Sequence, residues 1–376
     1  MLYMRLMKNG IFSLIILYSF HNLYAFDIND IKYQRSSIIH IMIEHPMYMF
    51  NSEVAEAFKE LPISDRFNDH NLGVKVVKFA TQEYSNQVEY INSFIQQTNL
   101  GARAVAKWFC WNKTDGKFSM DLIKKRGFYN ANLLERELAS KSIRGNSILY
   151  DSGENLINNT YLIMSDICFT GSYSNKEEEY ELTNKTREFE VTITSYIYKL
   201  NWDKEDLYHI YSHYNSGIKD FTKNEKCFSF DYKCNVKSTY SMKSNKFTQA
   251  ELIKLVVARC IDININKLQK SYPDFRIKAA ITSTNPIQAD IGLKEGVNEN
   301  DLYEVLEIET NDEGINTYSR VGTIKAIKGK IWDNRYMAKE EGIKEADYGY
   351  TTFEKISGKD FFPGMLIREI EDGENK

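Results

Sequence analysis

The chain has 376 residues, 43% of them apolar and 27% charged, a globular balance that excludes a disordered or fibrous polymer. Its formal charge is −4, with no basic block in either half. That excludes the cationic footprint needed for sequence-independent nucleic-acid binding and the polybasic patch that holds a protein on an anionic membrane.

Residues 1–25 read as a secretory signal. Arg5 and Lys8 form a cationic start, Ile11 to Phe20 an apolar run, and Leu23-Tyr24-Ala25 a cleavage site after about Ala25. The expected location is therefore periplasmic or otherwise exported. The apolar run is shorter than the ~20 residues a spanning helix needs, and no later run approaches that length, so no transmembrane segment is expected beyond it.

Ser37–Glu44 alternates Ile39, Ile41 and Ile43 and predicts a strand, followed by a helix from Asn51 or Ser52 to about Glu60. Gly73–Phe79 predicts a second strand. Val88, Ile91 and Ile95 predict a helix over Tyr84–Thr98 that ends at Gly101, and Ala102–Trp111 predicts a third strand. Asp121–Leu156 is helical with a break, Asn159–Phe169 a buried strand, 171–187 a polar connection and Glu188–Leu200 a strand. Residues 215–247 are polar and weakly periodic, with at most one short strand pair. Thr248 to Glu251 forms a capping box that opens a helix to about Ser271, closed by Pro273. From Phe275 onward, strand-like runs recur over 276–291, 302–309, 317–330 and 351–370, with a hairpin turn at Asn311-Asp312-Glu313-Gly314. The reading is an α+β fold: an α/β strand–helix domain over 27–200, a polar connection and capped helix over 201–272, and an antiparallel β-module over 273–376.

Residues 290–305 (DIGLKEGVNENDLYEV), 320–324 (RVGTI) and 363–368 (PGMLIR) resemble the small β-module of bacterial envelope assembly proteins, including the end of flagellar assembly protein T and curli-export relatives. Residues 331–350 depart from that module as an insertion. The first 250 residues resemble uncharacterised exported proteins of Bacteroidetes-type bacteria. The resemblance implies an envelope location and an assembly or binding role.

Candidate sites are few. Trp332, Arg335 and Tyr336 in the insertion are residue types enriched at interface hot spots, and a loop on a β-scaffold is a common carrier of function. They are the expected binding residues. The neighbouring Glu340, Glu341, Glu345 and Asp347 leave a Ca²⁺ or small-ligand binder open, although their spacing is not that of an EF-hand. His209 and His213 stand at i,i+4 but lack the glutamate of a His-Glu-x-x-His motif and a third ligand. Cys110 reads as a core thiol within an apolar strand; Cys227 and Cys234 lie close enough in sequence to bridge a hairpin, against an alternative of five scattered thiols. No phosphate loop, dinucleotide fingerprint or nucleophile elbow is present. The expectation is a non-enzymatic envelope protein that binds a partner protein or itself and takes no cofactor. The alternative is a secreted hydrolase acting on envelope glycan or peptide.

Overall fold

Ile39, Ile41 and Ile43 alternate with Ile38, His40 and Met42 along β2 (Ser36–Glu44), and both rows face packed helices. A strand covered on both faces belongs at the centre of a layered sheet. The computed structural model describes residues 33–34, 36–79, 87–130, 139, 145–173, 186–214, 216–224, 227–310, 316–341 and 349–370. The proposed signal segment lies outside them. Among the described residues, no helix is long and apolar enough to cross a membrane.

β2 pairs in parallel with β3 (Phe67–Asp69) and β4 (Val76–Lys78) on one edge and with β5 (Thr160–Tyr173) on the other. β5, β6 (Arg187–Leu200) and β7 (Phe230–Ser244) continue the sheet as long antiparallel neighbours. One face carries α2 (Gln87–Gln97), α3 (Leu100–Trp108), α4 (Asp121–Asn130), α5 (Gly145–Ile157), α6 (Lys204–His213) and the single turn α7 (Phe221–Asn224) around a core that includes Ile41, Trp108 and Leu162. The other face carries α1 (Asn51–Glu60) and the 23-residue α8 (Gln249–Ser271), which buries Leu252, Leu255, Val256 and Cys260 against Met42, Ile167 and Val191. Each such aliphatic side chain contributes roughly 1.5–3 kcal/mol on burial. The expected capping box starts α8: Glu251 N donates to Thr248 Oγ1 at 3.3 Å, and Thr248 N donates to Glu251 Oε2 at 2.8 Å.

After a 3₁₀ turn at Pro273–Phe275 the chain enters the second sheet. β8 (Lys278–Thr284), β13 (Leu366–Glu369), β10 (Leu302–Thr310), β11 (Asn316–Ala326), β12 (Thr351–Gly358) and β9 (Ile287–Ala289) pair antiparallel in that order, and β9 returns to β8. The ladder thus closes into a small barrel around Ile281, Val305, Ile324, Phe353 and Ile367. β1 (Tyr33–Gln34), although first in the chain, pairs with β8 at Ala279 and Lys278. The fold is α+β, as the sequence predicts, but the barrel borrows a strand from the opposite end of the chain. The turn at 311–314 lies outside the described residues; β10 and β11, which flank it, pair from Leu302↔Lys325 to Thr310↔Asn316.

Three elements differ from expectation. Residues 102–108 are helical, within α3, and Gly101 lies inside that helix rather than ending the preceding one. α3 is buried on nearly every side, so its apolar run has no helical stripe to read, and its three alanines and glycine are compatible with helix once tertiary packing decides. A Cβ at Gly101 would stand 2.1 Å from Phe228 O, so the residue serves close approach. Cys110 is not in a core strand but exposed just past α3. Residues 230–244 form one 15-residue strand, not a short pair, because β6 supplies a partner along the whole length while the polar alternation belongs to the edge's open face. The second expected strand, 73–79, shortens to β4. No disulfide joins Cys227 to Cys234.

α4 and α5 cross backbone to backbone at Gly127 and Gly153: a Cβ on Gly127 would meet Leu149 O at 1.8 Å, and one on Gly153 would meet Ile123 O at 2.1 Å. Gly127→Ala is expected to lower stability by about 2 kcal/mol through overpacking, despite alanine's better helix propensity. Urea unfolding midpoints of the two proteins measure this; an unchanged or raised midpoint would contradict the crossing.

Candidate functional site

The stretch 331–341 that follows β11 does not project into solvent. It lies along the seam between α8 and the barrel, and each expected site residue takes part in fixing it. Trp332 bridges Gly292: Leu293 N donates to Trp332 O at 2.9 Å, and a Cβ at Gly292 would stand 2.1 Å from that oxygen. Asn334 accepts from Lys294 N at 2.8 Å and donates to Glu295 Oε2 at 2.5 Å. Arg335 grips Asp333 through two N–H groups, at 2.8 and 2.7 Å, and this pairing holds the Asp333 carboxyl below its ordinary range against the opposing effect of burial, the largest single influence. From α8, Arg259 donates to Tyr336 O at 2.8 and 3.2 Å and to Glu341 Oε1 at 2.6 Å. With its side chain 4% exposed, Arg259 is a buried clamp on the loop. Glu341 is therefore committed to an arginine, and Glu345 and Asp347 lie outside the described residues.

Tyr336 is the member of the trio that faces a cavity. It forms one wall of a small cleft of about 70 Å³, opposite Phe58 and Leu61 at the end of α1. Ile38, Ile261 and Ile265 give an apolar floor, while His40, Ser64, Lys75, Asp262 and Lys294 bring polar groups to it. Sequence reasoning reached Tyr336 but not the opposite wall, because α1, β2 and α8 meet only through sheet topology. Two cues were present in the sequence: His40 within an otherwise apolar strand, and Asp262 on the buried stripe of a helix.

Burial, and then the nearby Lys75, lower the His40 imidazole to about 4, so it is neutral at physiological pH. Its Nε2 meets Ser165 Oγ at 2.9 Å, Ser165 meets Ser195 Oγ at 2.9 Å, and Asn264 Nδ2 donates to Ser195 Oγ at 3.0 Å. A polar seam thus runs from the cleft across three strands to α8. It satisfies groups whose burial without partners would each cost roughly 1–3 kcal/mol. Burial pushes Asp262 up to about 6, against the opposing pull of Arg66 at 3.7 Å. Lys75 donates to Lys59 O at 2.8 Å, which places its cation at the C-terminal end of α1, where the helix dipole favours it.

His209 and His213 fall on α6 as the spacing predicts, with ring centroids 4.6 Å apart. His213 Nδ1 lies 2.8 Å from His209 O. Among the described residues no group of three or more His, Cys, Asp or Glu side chains converges as a metal site. Asp203 caps α6 in a capping box with Asp206. No family model matches the chain, and no curated protein matches it.

Proposed function

We propose that this protein is a non-enzymatic component of a bacterial envelope, exported by its N-terminal signal, which binds a partner protein through the cleft walled by Tyr336. The observation that carries the reading is the clamped loop: Arg259, Trp332 and Asn334 hold residues 331–341 as a fixed wall, so the Tyr336 ring is pre-positioned and little conformational entropy is lost on binding. The cleft's apolar floor accepts an apolar side chain of the partner. Lys75 and Lys294 favour an acidic residue beside it.

The test is site-specific crosslinking in intact cells, with a photoreactive phenylalanine derivative in place of Tyr336 or, as control, of Tyr208, which is 73% exposed on α6. A discrete adduct from position 336, absent from position 208 and lost in a Lys75→Glu, Lys294→Glu background, is expected. Absence of any adduct specific to position 336 would sink the proposal.

A further inference from the structure

A second polar cluster lies apart from the cleft, at the carboxyl end of β2. The chain leaves β2 into α1 on one face of the sheet and leaves β4 toward α2 on the opposite face. Connections that part to opposite faces from adjacent parallel strands mark the crevice where open α/β sheets take ligands. Here His45 follows β2 directly, and Asp166 stands beside it on β5, opposite Ile43. His45 Nε2 and Asp166 Oδ1 are 3.4 Å apart, and each is a buried atom without a hydrogen-bond partner. Buried polar atoms are nearly always satisfied, so two adjacent orphans point to a group that belongs between them.

The surroundings define that group. Among the described residues, no lysine or arginine pairs with Asp166; the nearby Lys78 is 3.6 Å from Glu44, which also accepts from Asn51 at 2.8 Å. The Asp166 carboxylate acts on its neighbours: after burial it is the main influence raising Tyr48 and Tyr196 to about 12, and it raises the Cys168 thiol too. Aromatic rings stand next to the pair, Tyr48 at 4.8 Å and Phe79 at 6.4 Å from the His45 ring centroid. A half-buried carboxylate with no lysine or arginine partner among the described residues, a ring nitrogen 3.4 Å from it and aromatic faces together suit a cation. A metal ion is a poor fit, since no third His, Cys, Asp or Glu converges among the described residues.

We propose that the carboxyl end of β2 binds a protonated primary amine, with one N–H donated to Asp166 Oδ1, a second to His45 Nε2, and the adjoining methylene against the Tyr48 ring. A quaternary ammonium carries the charge but no N–H, so it satisfies neither orphan. This site is independent of the Tyr336 cleft.

The test is calorimetric titration of the full chain at pH 7.5 with n-butylammonium, set against tetramethylammonium and against sodium chloride at equal ionic strength. Saturable binding of n-butylammonium is expected, at least tenfold tighter than tetramethylammonium, weakened at least tenfold by Asp166→Asn and unchanged by Asp262→Asn in the cleft. If Asp166→Asn does not fold, His45→Gln reads the same contact and is expected to weaken binding several-fold. Heats that match sodium chloride, equal binding of the two ammonium ions, or saturable binding that survives the substitution would overturn the proposal.

Discussion

Arg66→Met should destabilise the protein by about 4 kcal/mol and weaken the hold of the barrel on the α/β layer. Arg66 is fully buried in the segment between α1 and β3, yet its guanidinium reaches three parts of the fold. Nε donates to Ser64 Oγ at 3.2 Å, Nη1 to Asn266 Oδ1 on α8 at 3.0 Å, and Nη2 to Lys294 O in the barrel at 3.4 Å. Two carboxylates complete its surroundings: Asp262 at 3.7 Å and Glu295 at 3.9 Å, the latter 4% exposed. Removing one partner of a buried ion cluster leaves the remaining charges desolvated and unpaired, which typically costs about 3–5 kcal/mol. Methionine keeps an unbranched apolar stem but not the guanidinium, so the loss reports mainly on charge and hydrogen bonds, with a smaller contribution from the space left behind. The measurement is urea unfolding of both proteins followed by barrel and sheet probes separately, with Tyr303 and Trp108 as natural reporters. A drop below 1 kcal/mol, or one confined to the α/β layer, would contradict a junction role for Arg66.

That junction explains which parts of the fold were legible in the sequence. Ser37–Glu44, Asn159–Phe169 and the Thr248 capping box could be read because each signal is local: alternation in one strand, a hydroxyl and a carboxylate three residues apart in one cap. Ala102–Trp108 could not, since a helix enclosed on nearly every side has no broad exposed face to set its period. The candidate cleft was half-legible for the same reason. Tyr336 stood out by residue type in an insertion, whereas Phe58, His40 and Asp262 come from three elements that converge only after β2 is placed mid-sheet and α8 is laid across it. His45 and Asp166 are 121 positions apart and meet through the β2–β5 register alone. The role of Trp332 is also clear only in three dimensions: its main-chain contact with Gly292 and Leu293 sets the wall against which Tyr336 stands.

Fully buried His70 and partly buried His40 predict a second large effect, a loss of stability in mild acid. His70 is fully buried, and its tautomer follows from its neighbours. Arg126 can only donate, and its Nη1 lies 2.7 Å from His70 Nδ1, so Nδ1 accepts and the ring proton sits on Nε2, directed at Ala104 O at 2.8 Å. Burial first, and then the Arg126 charge, hold His70 well below its ordinary range, while burial and Lys75 hold His40 at about 4. In the unfolded chain both rings take up protons near pH 6.5, so between that pH and 4 the unfolded state binds more protons and stability falls as pH falls. For His40 alone the loss is about 3 kcal/mol, and His70 adds to it. Asp262 has the opposite sign. Its carboxyl is raised to about 6, so the native state binds the extra proton; the stability this confers is present below about pH 4 and is lost as pH rises through 6. The wild-type profile is thus a sum of opposed terms, and single substitutions separate them. Relative to wild type, His40→Gln should gain about 3 kcal/mol on going from pH 7.5 to 4, whereas Asp262→Asn should lose a similar amount over the same range. Chemical unfolding at half-unit pH intervals reads both slopes. A His40→Gln profile parallel to wild type would mean that the imbalance in proton uptake does not arise at His40, and a parallel Asp262→Asn profile would remove the opposing term from the junction.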